Sequence, residues 1–144
     1  MSRINTARVV IGGLVAGVVA NAIDFAINNY LMANEGAEMV QRLNLKADVV
    51  EHSMWTWIGF DFVYGLLVVF TYAAIRPRFG PGPKTALIAG GCYWLAFGAM
   101  YAGLTAMGVF THPAFIKSAA FSLASTLVPA LVGAAIYKEE KAEE

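Results

Sequence analysis

Apolar residues along this chain gather into long runs. Four of them, Val9 to Met32, Met54 to Ile75, Thr85 to Met107 and Phe115 to Tyr137, each exceed the roughly 20 residues a helix needs to span a bilayer. The segments between are short and polar or rich in glycine and proline, leaving no room for a soluble domain. The pattern predicts an all-α fold: one transmembrane domain, residues 1–144, built as an antiparallel bundle of four helices with sequence neighbours adjacent in space.

The runs are not uniformly apolar. In the first, Gly13, Gly17, Asn21, Asp24 and Asn28 fall within roughly 80° of arc at helical periodicity, so one face is small and polar. A lipid-facing carboxylate costs about 2.5 to 3.5 kcal/mol on insertion scales, which turns that face toward protein or enclosed water. The second run opens on Met54, Trp55, Thr56 and Trp57, an aromatic belt, and carries Trp57, Asp61, Tyr64, Gly65 and Tyr72 on one face. The third has a small-residue seam, Gly91, Gly98, Ala102 and Thr105, suited to close packing, with Tyr93, Trp94 and Tyr101 elsewhere on its circumference. In the fourth, Ser118, Ser122, Ser125, Pro129 and Gly133 share a face. At about 1.5 Å per residue from the outer ends, Asp24 lies about 12 Å deep, and Asp61 and Ser122 about 10 Å.

The external segment 33–53 sets Met39, Val40 and Leu43 opposite Glu38, Gln41 and Arg42, as a short amphipathic interfacial helix would. Asp48 and Glu51 have capping-box spacing, which predicts that the second helix starts near Val49. The turn 76–84 holds three prolines and two glycines, so it should lie outside any helix and be stiff. Pro113 is placed to begin the fourth helix, with His112 near its cap.

Charge changes the picture only through its distribution, since the net charge is zero. With the N-terminus in the cytoplasm, Arg3, Arg8, Arg76, Arg78, Lys84, Lys138 and Lys141 are inside and Arg42, Lys46 and Lys117 outside. Seven against three favours cytoplasmic termini and a cytoplasmic turn 76–84. Ala20-Asn21-Ala22 has the look of a signal-peptidase site, but the apolar run continues through Leu31, long enough to remain a span. Cys92 is the chain's one cysteine and can form no intrachain disulfide.

The stretch Ala73-Ala74-Ile75-Arg76-Pro77-Arg78-Phe79-Gly80-Pro81-Gly82-Pro83-Lys84-Thr85-Ala86, with Arg8 to Leu14, resembles a group of small uncharacterised bacterial four-helix membrane proteins. The resemblance implies a bacterial inner-membrane location and four helices. It supplies neither an activity nor site residues.

The candidate site is an intramembrane polar cluster of Asn21, Asp24, Asn28, Asp61, Ser118, Ser122 and Ser125. It suits interhelical hydrogen bonding, or a relay in which two neighbouring carboxyl groups share a proton or cation. Arg76, Arg78 and Lys84 are candidate contacts for lipid headgroups, and Lys117 should reach up toward the interface. His52 and His112 fall outside and, with Asp48 and Glu51, show no metal-ligand spacing. Nucleophile-elbow, zinc-protease and phosphate-loop patterns are missing, so no catalytic residue, metal or cofactor is assigned. The bilayer is the expected partner, with a second copy or a larger membrane complex next, and nothing recruits nucleic acid. Function is therefore expected to be that of a non-enzymatic membrane subunit or binding partner. The alternatives are a small proton- or cation-linked transporter or channel using Asp24 and Asp61, and, behind it, a membrane enzyme.

Overall fold

Long apolar segments become helices because every backbone amide then finds its partner within its own segment. In the computed structural model, which describes residues 4–138, the chain forms α1 (Thr6–Ala26), α2 (Ala33–Arg42), α3 (Ala47–Phe79), α4 (Pro83–Ala106) and α5 (His112–Ile136). A π-helical turn, Ile27–Leu31, prolongs α1. There is no strand among the described residues. α1 with its π turn, α3, α4 and α5 are long and apolar enough to cross a membrane, which fits a small multi-pass membrane protein. Arg3, Lys141 and the tail beyond Lys138 lie outside the described residues.

α1 packs along both α3 and α5, α4 leans chiefly on α5, and α3 meets α4 and α5 over thinner contacts. The closest approach is between α1 and α3. A Cβ on Gly65 would lie 2.3 Å from the Gly13 carbonyl oxygen and 2.5 Å from the Gly17 nitrogen. Gly13 faces Leu66, Gly17 faces Phe62, and the Asn21 amide donates to the Ile58 carbonyl, so numbers fall along α3 as they rise along α1. Gly12 meets Gly133 of α5 in the same manner, and Gly90 of α4 meets Thr126 and Ala130. Around these seams lies a core of small and branched residues, with Ala16, Ala20, Val68, Val69, Ala86, Ala89 and Ala130 all buried. In lipid, association rests on such close van der Waals contact, because lipid tails are as apolar as leucine.

Three local expectations are corrected. The helix does not stop before Arg76: α3 continues to Phe79 with Pro77 inside it. Pro77 forfeits only one ladder bond near a helix end, and the Gly80 amide still donates to the Arg76 carbonyl at 2.8 Å. The turn proper is Gly80 to Gly82, where φ values of 84° and 121° require glycine at both ends. It is pinned by the Thr85 hydroxyl donating to the Gly80 carbonyl (2.6 Å) and by the Gly82 amide donating to the Tyr72 hydroxyl (3.1 Å). Asp48 does not cap α3. Lys46 holds the cap position without a side-chain bond, and Asp48 lies in the first turn, where its charge complements the helix dipole.

The third correction concerns α4. A Cβ on Gly91 or Gly98 would meet nothing within 4 Å, so that seam is unpacked. The packed face carries Ala86, Ala89 and Gly90, with Tyr93 and Phe97 against the core.

The Gly65 contact generates a prediction. Gly65→Ala sets a methyl against two backbone atoms that cannot yield separately, and should cost about 1–3 kcal/mol or more of stability. Gly91→Ala should leave the melting temperature in detergent unchanged or raise it. Equal melting of Gly65→Ala and wild type would refute the role given to this approach.

Candidate functional site

The polar face of α1 divides in the structure. Asn21 is half-buried and acts as interhelical glue, its Nδ2 donating to the carbonyls of Gly17 (3.0 Å) and Ile58 (3.3 Å). Asp24, one turn on, reaches the Asp61 carboxyl of α3 and the Ser125 hydroxyl of α5 within hydrogen-bonding distance. Asp61 and Ser125 are both buried, each 7% exposed. Three helices thus contribute one oxygen-bearing side chain each to a single point.

Asn28 does not join them. It is exposed and its Nδ2 donates to the Asp24 carbonyl at 2.8 Å, while Asn29 does the same to the Phe25 carbonyl. The cause is the π turn. There the ladder reaches back five residues, as in the Met32 amide bonding Ile27, and the two asparagines serve carbonyls that an α-helical ladder would have used. The added residue also rotates the later positions out of register, so Asn28 leaves the face predicted for it.

The serine stripe of α5 divides as well. Ser125 touches the carboxyl pair, whereas the Ser122 hydroxyl donates back to the Ala119 carbonyl (3.2 Å). Ser118 is half-buried a turn earlier and takes no part in the hydrogen bonds of Asp24. Pro129, buried four residues after Ser125, has no N–H to give, so the Ser125 carbonyl lacks its usual helical donor.

Two residues outside the predicted cluster complete the surroundings. The Tyr64 hydroxyl donates to the buried Thr126 carbonyl, and its ring meets Tyr93 edge to face with centroids 5.6 Å apart. Tyr101 of α4 lies within electrostatic range of both carboxyl groups. Thr126 escaped the sequence pattern because it sits one residue, about 100°, off the serine face. Tyr101 escaped it because aromatic residues on a span mark lipid contact as readily as a polar site.

Chemically this is an all-oxygen site: two carboxyl groups, a hydroxyl and a carbonyl. Such a set suits a proton or a small hard cation rather than a soft metal. Among the described residues, no three of His, Cys, Asp and Glu gather at one place. His52 Nδ1 is engaged with its own helix, 2.7 Å from the Asp48 carbonyl oxygen.

At the end of the bundle where α2 lies, two contacts hold that helix in place. Lys117 of α5 pairs with Glu35, and the Arg42 guanidinium donates to the carbonyls of Gly108 and Val109 in the α4–α5 turn. At the opposite end Arg78 and Lys84 are exposed, while Arg76 is half-buried with its guanidinium 5.7 Å over the Tyr137 ring.

The Glu35 contact gives a pH prediction. The hydrogen bond from Lys117 holds the Glu35 carboxyl below its ordinary value of 4.5. A depressed carboxyl pKa means that the contact is fully present above that ordinary value and is lost as pH falls through the depressed one. Hydrogen exchange of α2 amides should accelerate, after correction for intrinsic rates, only below that ordinary value. Glu35→Gln should show the faster exchange already at neutral pH. Exchange indifferent to both changes would show that the pair does not hold α2.

No protein-family model, curated protein or solved structure matches the chain.

Proposed function

We propose that this chain is a non-enzymatic, multi-pass membrane protein of antiparallel helices that binds a proton or small cation at the Asp24–Asp61 pair, in support of transport across the bilayer. The observation that carries this reading is the meeting of two carboxyl groups from two spans at a buried serine. Glue alone does not call for it. The glycine seams and Asn21 already hold α1 to α3, and two carboxylates in contact repel unless a proton or cation sits between them. The falling and rising numbers of facing residues support the antiparallel order.

A second reading, a subunit that docks on a partner or on a second copy of itself, is favoured by α4. Only 11% of its most apolar window is buried, against 39% for α3.

The same reading sets the termini and the Gly80–Gly82 turn in the cytoplasm of a bacterial inner membrane, with α2 as an interfacial helix at the outer surface. The cation asymmetry supports the orientation, and the half-buried Met39 and Val40 opposite exposed Glu38 and Gln41 support the interfacial helix.

Infrared titration of the carboxyl stretch tests the site. A coupled pair should titrate as one unit in the wild type, and Asp24→Asn or Asp61→Asn should each change the band of the residue left behind. The double variant should then match either single one in any proton-linked assay. Two independent bands, with additive effects, would leave only helix glue. For the orientation, Pro81→Cys in a Cys92→Ala background should resist an impermeant thiol reagent in intact cells and react after lysis. Labelling from outside would reverse the topology.

A further inference from the structure

The bundle end opposite α2 closes on a stack of rings. Tyr72 of α3 and Tyr137 after α5 meet edge to face with centroids 5.9 Å apart, Arg76 covers Tyr137, and the Tyr137 hydroxyl accepts from the Asn5 amide at 3.3 Å. Beside this stack lies a cavity of about 150 Å³, lined by Tyr72, Gly82, Pro83, Leu131, Ala134 and Ala135. Pro83 and Ala135 are exposed, so the cavity opens at the flank of the bundle between the α3–α4 turn and α5. Its one side-chain polar group, the Tyr72 hydroxyl, already serves the Gly82 amide.

The rim is cationic. Arg8 stands a turn after the start of α1, Arg76, Arg78 and Lys84 flank the turn, and Lys138 comes directly after Tyr137. Among the described residues, every Asp and Glu belongs to the span interior or to segments 33–53, so no carboxylate offsets this charge. An apolar slot with no spare hydrogen-bonding group gives a sugar or nucleotide nothing to hold, yet it receives hydrocarbon readily. Arg78 and Lys84, exposed beside it, offer a phosphate two charge-assisted donors.

We infer that this cavity and its rim bind one anionic phospholipid, with an acyl segment between Tyr72 and Leu131, Ala134 and Ala135, and the phosphate on Arg78 and Lys84. Charge complementarity selects the anionic headgroup, and the apolar slot selects a lipid over a free anion. Arg76, committed to Tyr137, adds to the local field and keeps the ring wall of the slot upright.

Native mass spectrometry of the full chain in neutral detergent, with equal amounts of phosphatidylglycerol and phosphatidylcholine, tests this. The wild type should retain phosphatidylglycerol in excess. The double variant Arg78→Gln, Lys84→Gln should lose about fivefold in that preference per charge removed, and both sites are exposed enough to leave the fold intact. Ala135→Phe, which fills the slot from its exposed side, should lower retention of both lipids while leaving the circular dichroism and elution volume unchanged. Glycerol phosphate, a headgroup without tails, should fail to displace the bound lipid. Undiminished preference in the double variant would overturn the proposal. Undiminished retention in Ala135→Phe, or displacement by glycerol phosphate, would do so too, and would mark a simple anion site.

Discussion

The backbone contact of α1 with α3 at Gly65 sets the spacing on which the rest of the bundle depends. With Gly13 and Gly17 pressed against it, the two helix axes stand closer than any side chain would permit. Asp61 sits one turn before Gly65, and Asp24 two turns beyond Gly17. Helical side chains lean toward their own N-terminus, and these helices run in opposite order, so both carboxyl groups tilt into the gap between them. Short side chains can then touch across a gap that a looser pair of helices would have filled with lipid or with a third residue.

Asp24, Asp61, Asn21 and Ser125 could be picked out in the sequence because a polar group in an apolar run stands out against its surroundings, and helical periodicity then assigns it a face. That reasoning assumes an unbroken 100° step. It fails at Asn28, where a π turn inserts a residue that no composition announces. It also fails on α4, since glycine and alanine are equally at home against lipid and against another helix. Tyr93 and Phe97 face the core there, while Gly91 and Gly98 stay unpacked. The proline-rich turn misled for an energetic reason: one lost hydrogen bond in the last turn of a long helix is small beside the packing that holds the helix.

The two ends of the bundle are held by different physics. Where α2 lies, side chains grip backbone carbonyls and one another through charge, in water. At the other end, rings stack and a tyrosine hydroxyl ties the start of α1 to the end of α5. The first responds to salt and pH, and the second hardly at all. Motion prompted by a change in the surroundings is therefore cheaper at the α2 end, the one nearer the carboxyl pair.

The π turn has a bearing on how this chain can change length. A π-helical turn is an α-helix carrying one surplus residue. Removing any one residue between Ile27 and Leu31 would let α1 run on without a bulge, and would rotate everything after it by about 100°. Glu35 would then swing away from Lys117, and Arg42 from the carbonyls of the α4–α5 turn. The surplus residue and the charged contacts of α2 thus form one inherited unit: a lineage that lost the bulge would have to find new partners for α2, or lose its hold on that helix.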